Sequence, residues 1–155
     1  IQLVITAAIL IAAELALRYN RLRRERAGRG LRAMDDLNPA DAGVVGVAQA
    51  ISILPGISRS GATIAAGVAL AVGRDDAARF AFLLAIPALF GASLLELPDL
   101  ANGDLGFGVA LGGFVTSLIT SYAAIAGLIR YLQTRTLYPF ALYCVIAGVF
   151  FYFVV

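Results

Sequence analysis

Long apolar stretches separated by short polar segments dominate this chain. Residues 1–17, 77–95, 105–129 and 137–155 each approach the ~20 apolar residues that a membrane-crossing helix needs, and each reads as one crossing. Residues 18–38 read as a polar loop, and residues 96–104 as a short acidic one. Residues 39–73 differ: two shorter apolar segments flank a polar nonapeptide, residues 55–63. No alternating pattern of about ten residues repeats, so membrane strands are excluded.

Turn and cap signals sharpen these elements. Asn38-Pro39, with Asp41 in the first turn, predicts a helix start. Pro55-Gly56 breaks that helix, and a second begins near Ser60 and stops at Gly73, a C-terminal cap. Asp75 or Asp76 caps the next helix, in which Pro87 predicts a kink. Glu14 lies four residues before Arg18, the favourable helical order, and reads first as a snorkelling interfacial carboxylate and second as a proton-relay group.

Charge placement decides the topology of residues 39–73. Seven arginines fall between Arg18 and Arg32, a cluster that marks the cytoplasmic side and that could also attract anionic headgroups. If the two short helices enter and return on one side, this loop shares a face with Arg74, Arg79, Arg130 and Arg135. The arginine-free segment 96–104 then lies opposite. If they cross, the arginines split between the faces. The positive-inside rule favours a re-entrant pair. Its helices, at ~1.5 Å per residue, are also too short to cross singly.

Composition agrees with an all-α integral membrane protein, multi-pass in the plasma (inner) membrane: 61% of the 155 residues are hydrophobic and 14% charged. All 12 basic residues are arginine and there is no histidine. Cys144 stands alone, so neither a disulfide nor a His/Cys metal site can form within one chain. The only basic run adjoins a membrane helix, which argues against nucleic acid. Ile1 already lies in an apolar run, and the chain is expected to lack an N-terminal half.

The nonapeptide carries the chemistry. An arginine within an apolar membrane segment is a functional-site hypothesis by default, and no acidic residue between Asp41 and Asp75 could pair with Arg59. A helix start offers free N–H groups and a positive dipole end, which suit phosphate. Arg59 adds a planar fork, Ser58, Ser60 and Thr63 add hydroxyls, and Gly56 and Gly61 permit close approach. Ser60 and Thr63 could equally bond to backbone carbonyls, and Gln49 reads first as an interhelical hydrogen-bonder, second as a ligand. Thr116, Ser117, Thr120 and Ser121, with Gly108 and Gly112 in a GxxxG pattern, read as helix packing. Tyr143, Phe150, Phe151, Tyr152 and Phe153 read as lipid-facing anchors.

Gly46-Val47-Ala48-Gln49, then Leu54-Pro55-Gly56-Ile57-Ser58-Arg59-Ser60-Gly61-Ala62-Thr63, then Ala78-Arg79-Phe80-Ala81-Phe82-Leu83-Leu84-Ala85-Ile86-Pro87 resemble the C-terminal part of the undecaprenyl-diphosphate phosphatase (bacitracin-resistance protein) family. The resemblance implies an inverted repeat with a re-entrant pair in each half. It implies a hydrolase that removes the terminal phosphate of a polyprenyl diphosphate and so recycles the lipid carrier of cell-wall synthesis. It also implies that Ser58, Arg59 and Thr63 bind the diphosphate, with Ser60 a weaker candidate, and that the catalytic pair within this chain is Arg59 and Ser58. The family's other half carries a Glu-rich motif, a histidine and a serine proposed as nucleophile. None has a counterpart here: Gln49 and Ile53 stand where that half has its two glutamates. A divalent metal, Mg²⁺ or Ca²⁺, would then be held mainly outside this chain, with no metal ligand in it. The expected partners are the polyprenyl diphosphate, membrane lipids and the missing half; a homodimer stays open. The fragment alone is expected to be inactive. The rival readings are half of an anion-binding secondary transporter, since broken helices also hold transported substrates, and a non-catalytic scaffold.

Overall fold

In a computed structural model, residues 2–54, 57–102 and 106–154 are described. They form six α-helices: α1 (Gln2–Arg26), α2 (Pro39–Ile51), α3 (Arg59–Ala69), α4 (Arg74–Asn102), α5 (Phe107–Leu132) and α6 (Tyr138–Val154). A single 3-10 turn, Met34–Asp36, precedes α2. Three of the helices are long and apolar enough to cross a membrane: α1, α4 and α5. The fourth expected crossing, α6, is described over 17 residues.

The polar segment after Leu17 is not all loop. α1 continues nine residues further, to Arg26, because Arg, Leu and Glu are good helix formers and Arg21 pairs with Glu25 one turn on. It ends in a Schellman turn: Gly28 has φ 69°, its N–H reaches the Glu25 carbonyl, and the Arg29 N–H reaches that of Arg24. At the other end of the hairpin, α3 stops at Ala69, before Gly73, and the left-handed residue is Ala71 (φ 66°). Asp75 and Asp76 lie inside the first turn of α4 rather than capping it. α4 passes through Pro87 and Pro98 to Asn102, so most of the expected acidic loop is helix; residues 103–105 lie outside the described residues.

α2 and α3 pack together as a hairpin whose two ends meet. The Arg32 N–H donates to the Ala71 carbonyl (2.9 Å), and the Gly73 N–H donates to the Arg32 carbonyl (3.0 Å). Asn38 and Asp41 cap α2 reciprocally. Arg32 bonds to Asp41 at 2.5 Å, with side chains 18% and 13% exposed. That bond holds the Asp41 carboxyl below the ordinary carboxylate range. This tie therefore contributes above the unfolded carboxylate pKa and is lost as pH falls through the lower folded value.

α3 runs parallel to α1. Near one end, the Ser58 N–H donates to Thr6 Oγ1; near the other, Asn20 Nδ2 donates to the Ala69 carbonyl. α6 runs antiparallel to α1, with Gly148 against Leu3 and Val4. α3 and α4 touch closely at Gly67, where an added Cβ would meet Ala77 Cβ at 3.0 Å. The core is the seam between these helices: Ala7, Leu10 and Leu17 of α1, Ile64 and Val68 of α3, Ala78 of α4. α5 leans on α4, and its apolar face, Phe114 and Ile119 included, is exposed. Among the described residues, Gly108 and Gly112 meet nothing within 4 Å, so their pattern packs against no described helix.

Glu14 is not an interfacial carboxylate. It is 0% exposed, in the same 3-4-3 stripe as Leu10 and Leu17. Both its oxygens accept from the Arg74 guanidinium, and Oε2 also accepts the Leu137 N–H at 3.3 Å. Arg18 instead lies over the Tyr138 ring, 5.2 Å from its centroid. One carboxylate thus ties α1 to the starts of α4 and α6. Glu14→Gln keeps the shape and leaves Arg74 unpaired, so a stability loss of about 3–5 kcal/mol is expected. Thermal unfolding in detergent reads it, and an unchanged midpoint would mean the pair is not what joins these helices.

Candidate functional site

The start of α3 is built by one side chain. Ser58, the N-cap, has extended backbone, and its Oγ accepts the Gly61 N–H at 3.1 Å. Its own N–H is taken by Thr6, a 2% exposed residue of α1. The cap is therefore fixed from both sides. Gly61 is required by the close approach: a Cβ there would meet Ser58 Oγ at 3.0 Å and Cβ at 3.1 Å.

Ser58, Arg59 and Ser60 sit together on this first turn, all exposed, with the two serine hydroxyls 3.5 Å apart. Among the described residues, Arg59 has no ion-pair or hydrogen-bond partner for its guanidinium, and the N–H groups of Arg59 and Ser60 have no acceptor. A free fork thus stands beside free amides at the positive end of a helix.

The other candidate residues fall elsewhere. Thr63 is buried, and its hydroxyl bonds to the carbonyls of Arg59 and Ser60, bracing the turn from behind. Gln49 faces α4: its Nε2 lies 3.5 Å from the Leu84 carbonyl, and its Oε1 is buried without a partner among the described residues. Pro87, which has no N–H, leaves the neighbouring Leu83 carbonyl without its helical donor, so this is a donor-poor turn of α4. Gly56 lies outside the described residues. Thr6 was missed by sequence reasoning; a lone hydroxyl in an apolar run was its only signal.

Beside the tip, an apolar groove of about 460 Å³ runs between α1, α2 and α3, from Ile57 and Ile51 past Ala62 to Ala16 and Ala69. The tip's donor set is one guanidinium, hydroxyls and amides, with no carboxylate. That set fits an anion and does not fit a divalent metal ion.

The family model described as bacitracin resistance protein BacA matches residues 1–150. The chain belongs to the BacA family. Curated relatives named undecaprenyl-diphosphatase include one from Nocardioides sp., 44% identical over 80% of this chain and 46% of its own length. Another, from Gloeobacter violaceus, is 41% identical over 92% of this chain and 48% of its own. A third, from Methanosphaera stadtmanae, is 39% identical over 96% and 50%. This BacA-family chain thus spans about half the length of the curated relatives it matches, and its apolar helices make it a multi-pass membrane protein.

Gly61→Ala should displace Ser58 from its capping position and cost about 1 kcal/mol, the worth of an N-cap. Thermal unfolding measures it. A neutral Gly61→Ala would mean that Ser58 Oγ does not hold this turn.

Proposed function

We propose that the start of α3 grips the diphosphate of a polyprenyl diphosphate, and that this chain supplies the phosphate-binding half of a membrane phosphatase that releases the terminal phosphate. The observation that carries this reading is the exposed guanidinium of Arg59, unpaired among the described residues, on a helix start whose first amides have no described acceptor. In a membrane, such an arginine calls for an anionic partner. Ser58 and Ser60 offer hydroxyl donors beside it. The apolar groove from Ile57 toward Ala69 suits a methyl-branched hydrocarbon tail. The names of the relatives supply the substrate class. The product would be the monophosphate carrier of cell-wall synthesis.

The role of these residues is to hold charge. Arg59 and the amides of α3 would bind the non-bridging oxygens and offset the charge that develops as the phosphoanhydride breaks. No side chain at the tip is a base. Ser58 Oγ already accepts a hydrogen bond and has no basic neighbour to take its proton. The nucleophile, the proton-transfer groups and any carboxylates for Mg²⁺ or Ca²⁺ would come from outside residues 1–155, and no metal step is assigned to this chain.

The reading places the hairpin in the membrane as a re-entrant pair. Support comes from its closed base, where Arg32 meets Val72. Support also comes from the gathering of Arg21, Gly30, Arg74, Leu132 and Gln133 around one hollow at the same end. Thr6 marks the depth of the tip, and the twelve residues from it to Arg18 rise about 18 Å, more than half of a ~30 Å hydrocarbon core.

In the intact enzyme, Arg59→Ala should lower phosphate release on the order of 10²–10³-fold. Arg59→Lys should recover little, because the fork is lost. Thr63→Val, which removes a hydroxyl spent within α3, should cost less than about tenfold. Near-normal release by Arg59→Ala would remove Arg59 from the mechanism.

Topology is testable separately. With Cys144→Ser as background, single cysteines are placed at Ala27, Asp75, Asn102 and Thr134. In intact cells, a membrane-impermeant thiol reagent should label only the Asn102 position. Labelling at 75 and 134 but not at 102 would mean that the motif segment crosses the bilayer, as in a transporter with a broken helix.

A further inference from the structure

A second anion-binding arrangement lies at the opposite end of α3. A cavity of about 460 Å³ is lined by Asn20, Arg23, Arg24, Ala27 and Arg29, with the end of α3 and the turn after it, residues 69–71, opposite. Three guanidinium-bearing side chains thus line one cavity, and no carboxylate does. Among the described residues, Arg23, Arg24, Arg26 and Arg29 form no ion pair; the neighbouring acid, Glu25, is paired with Arg21 and lines a different hollow. The fold assembles this charge deliberately. The left-handed Gly28 turns the chain back so that Arg29 joins Arg23 and Arg24. Arg24 is pinned through Nε to the Gly30 carbonyl (2.7 Å), which leaves its terminal nitrogens to donate elsewhere. Asn20 covers the Ala69 carbonyl (2.9 Å), an oxygen that would otherwise repel an anion.

We propose that this cavity binds the headgroup phosphate of an anionic phospholipid, with Arg23, Arg24 and Arg29 as its ligands. A lipid rather than a soluble phosphate follows from what flanks the charge. An adjoining hollow shares Arg23 and Ala27 and is walled by Tyr19, Leu22 and Arg26. Tyr19 is 66% and Leu22 58% exposed, so an aromatic and an aliphatic side chain lie free just where the apolar run of α1 gives way to arginine. That order, apolar wall then cationic pocket, matches an acyl chain below its headgroup at a membrane surface. The site is separate from the tip: fourteen residues of α1 from Thr6 to Asn20 rise about 21 Å. An anion here also offsets the mutual repulsion of the three guanidinium groups.

The purified protein is delipidated in detergent and offered phosphatidylglycerol or phosphatidylcholine of matched chains, and bound lipid is counted by native mass spectrometry. Each basic residue near a lipid surface is worth ~1 kcal/mol, so a preference for phosphatidylglycerol of roughly tenfold or more is expected. R23Q/R29Q should abolish that preference, and the charge-matched R130Q/R135Q should keep it. Arg29, whose side chain makes no hydrogen bond among the described residues, can be changed alone: Arg29→Gln should lower the preference about fivefold, which guards against a misfolded double variant. The proposal is overturned if R23Q/R29Q keeps the preference, or if R130Q/R135Q loses it equally. Displacement of phosphatidylglycerol by an equal concentration of glycerol phosphate would make this a soluble-anion site and also overturn it. None of these readouts involves phosphate release, so their failure is distinct from failure at Arg59.

Discussion

A single buried carboxylate organises the base of this protein. Glu14 is fully enclosed, and it accepts from Arg74 and from the Leu137 N–H. Such a group is strongly destabilising unless every lone pair it offers is met. The chain meets them from segments 60 and 123 residues away. The starts of α4 and α6 are thereby fixed against α1, and their positive helix ends face the charge. The hairpin α2–α3 closes at the same level, through Arg32 and Val72. Glu14 with Arg74, and Arg32 with Asp41, are consumed in holding that base shut. The tip, some twenty ångströms away by the rise of α1, is built the other way, with its strongest donor left open.

That contrast is the physical case for a binding site. Arg32 and Arg74, whose side chains are mostly buried, have carboxylate partners. Arg59 has none among the described residues, although it sits in an apolar segment where an unmatched charge is costly. Ser58 and Gly61 use one hydrogen bond to define the first turn, Thr63 uses its hydroxyl to brace it, and Thr6 anchors it to α1. These contacts fix the position of Arg59 without touching its guanidinium. Preorganised donors of this kind stabilise charge without rearranging at the moment of reaction. They do not move protons, and the proposed role of this chain is accordingly to hold charge.

The sequence made much of this legible and hid the rest for identifiable reasons. The capping pattern at Asn38, Pro39 and Asp41 and the Ser58–Ser60 cluster are short-range signals. Each depends on residues within one helical turn. By contrast, α2 ends at Ile51, earlier than the expected break at Pro55, which lies outside the described residues. Glu14 was misread because α1 is apolar all round, so its buried 3-4-3 stripe has no polar face to contrast with. Its partner Arg74 lies beyond any local pattern. The extension of α1 to Arg26 was concealed by the same arginines that mark the membrane boundary: they are polar, yet they favour helix. Gln49 and Thr63 are polar residues beside the motif whose types suit either packing or ligand contact, so the sequence leaves both open. The fold uses one on α4 and the other within α3. The GxxxG pattern of α5 finds no partner among the described residues, and an exposed apolar face of that kind is open to lipid or to another protein surface.

The central claim is that Arg59 stands open in order to hold a diphosphate. The most direct measurement is the affinity of the membrane-reconstituted protein for a non-cleavable prenyl methylene-diphosphonate, compared between wild type and Arg59→Ala by calorimetry. Loss of a charge-assisted, two-point contact should weaken binding by at least about tenfold. An unchanged dissociation constant would contradict the account, because the strongest donor of the tip would then take no part in holding the ligand.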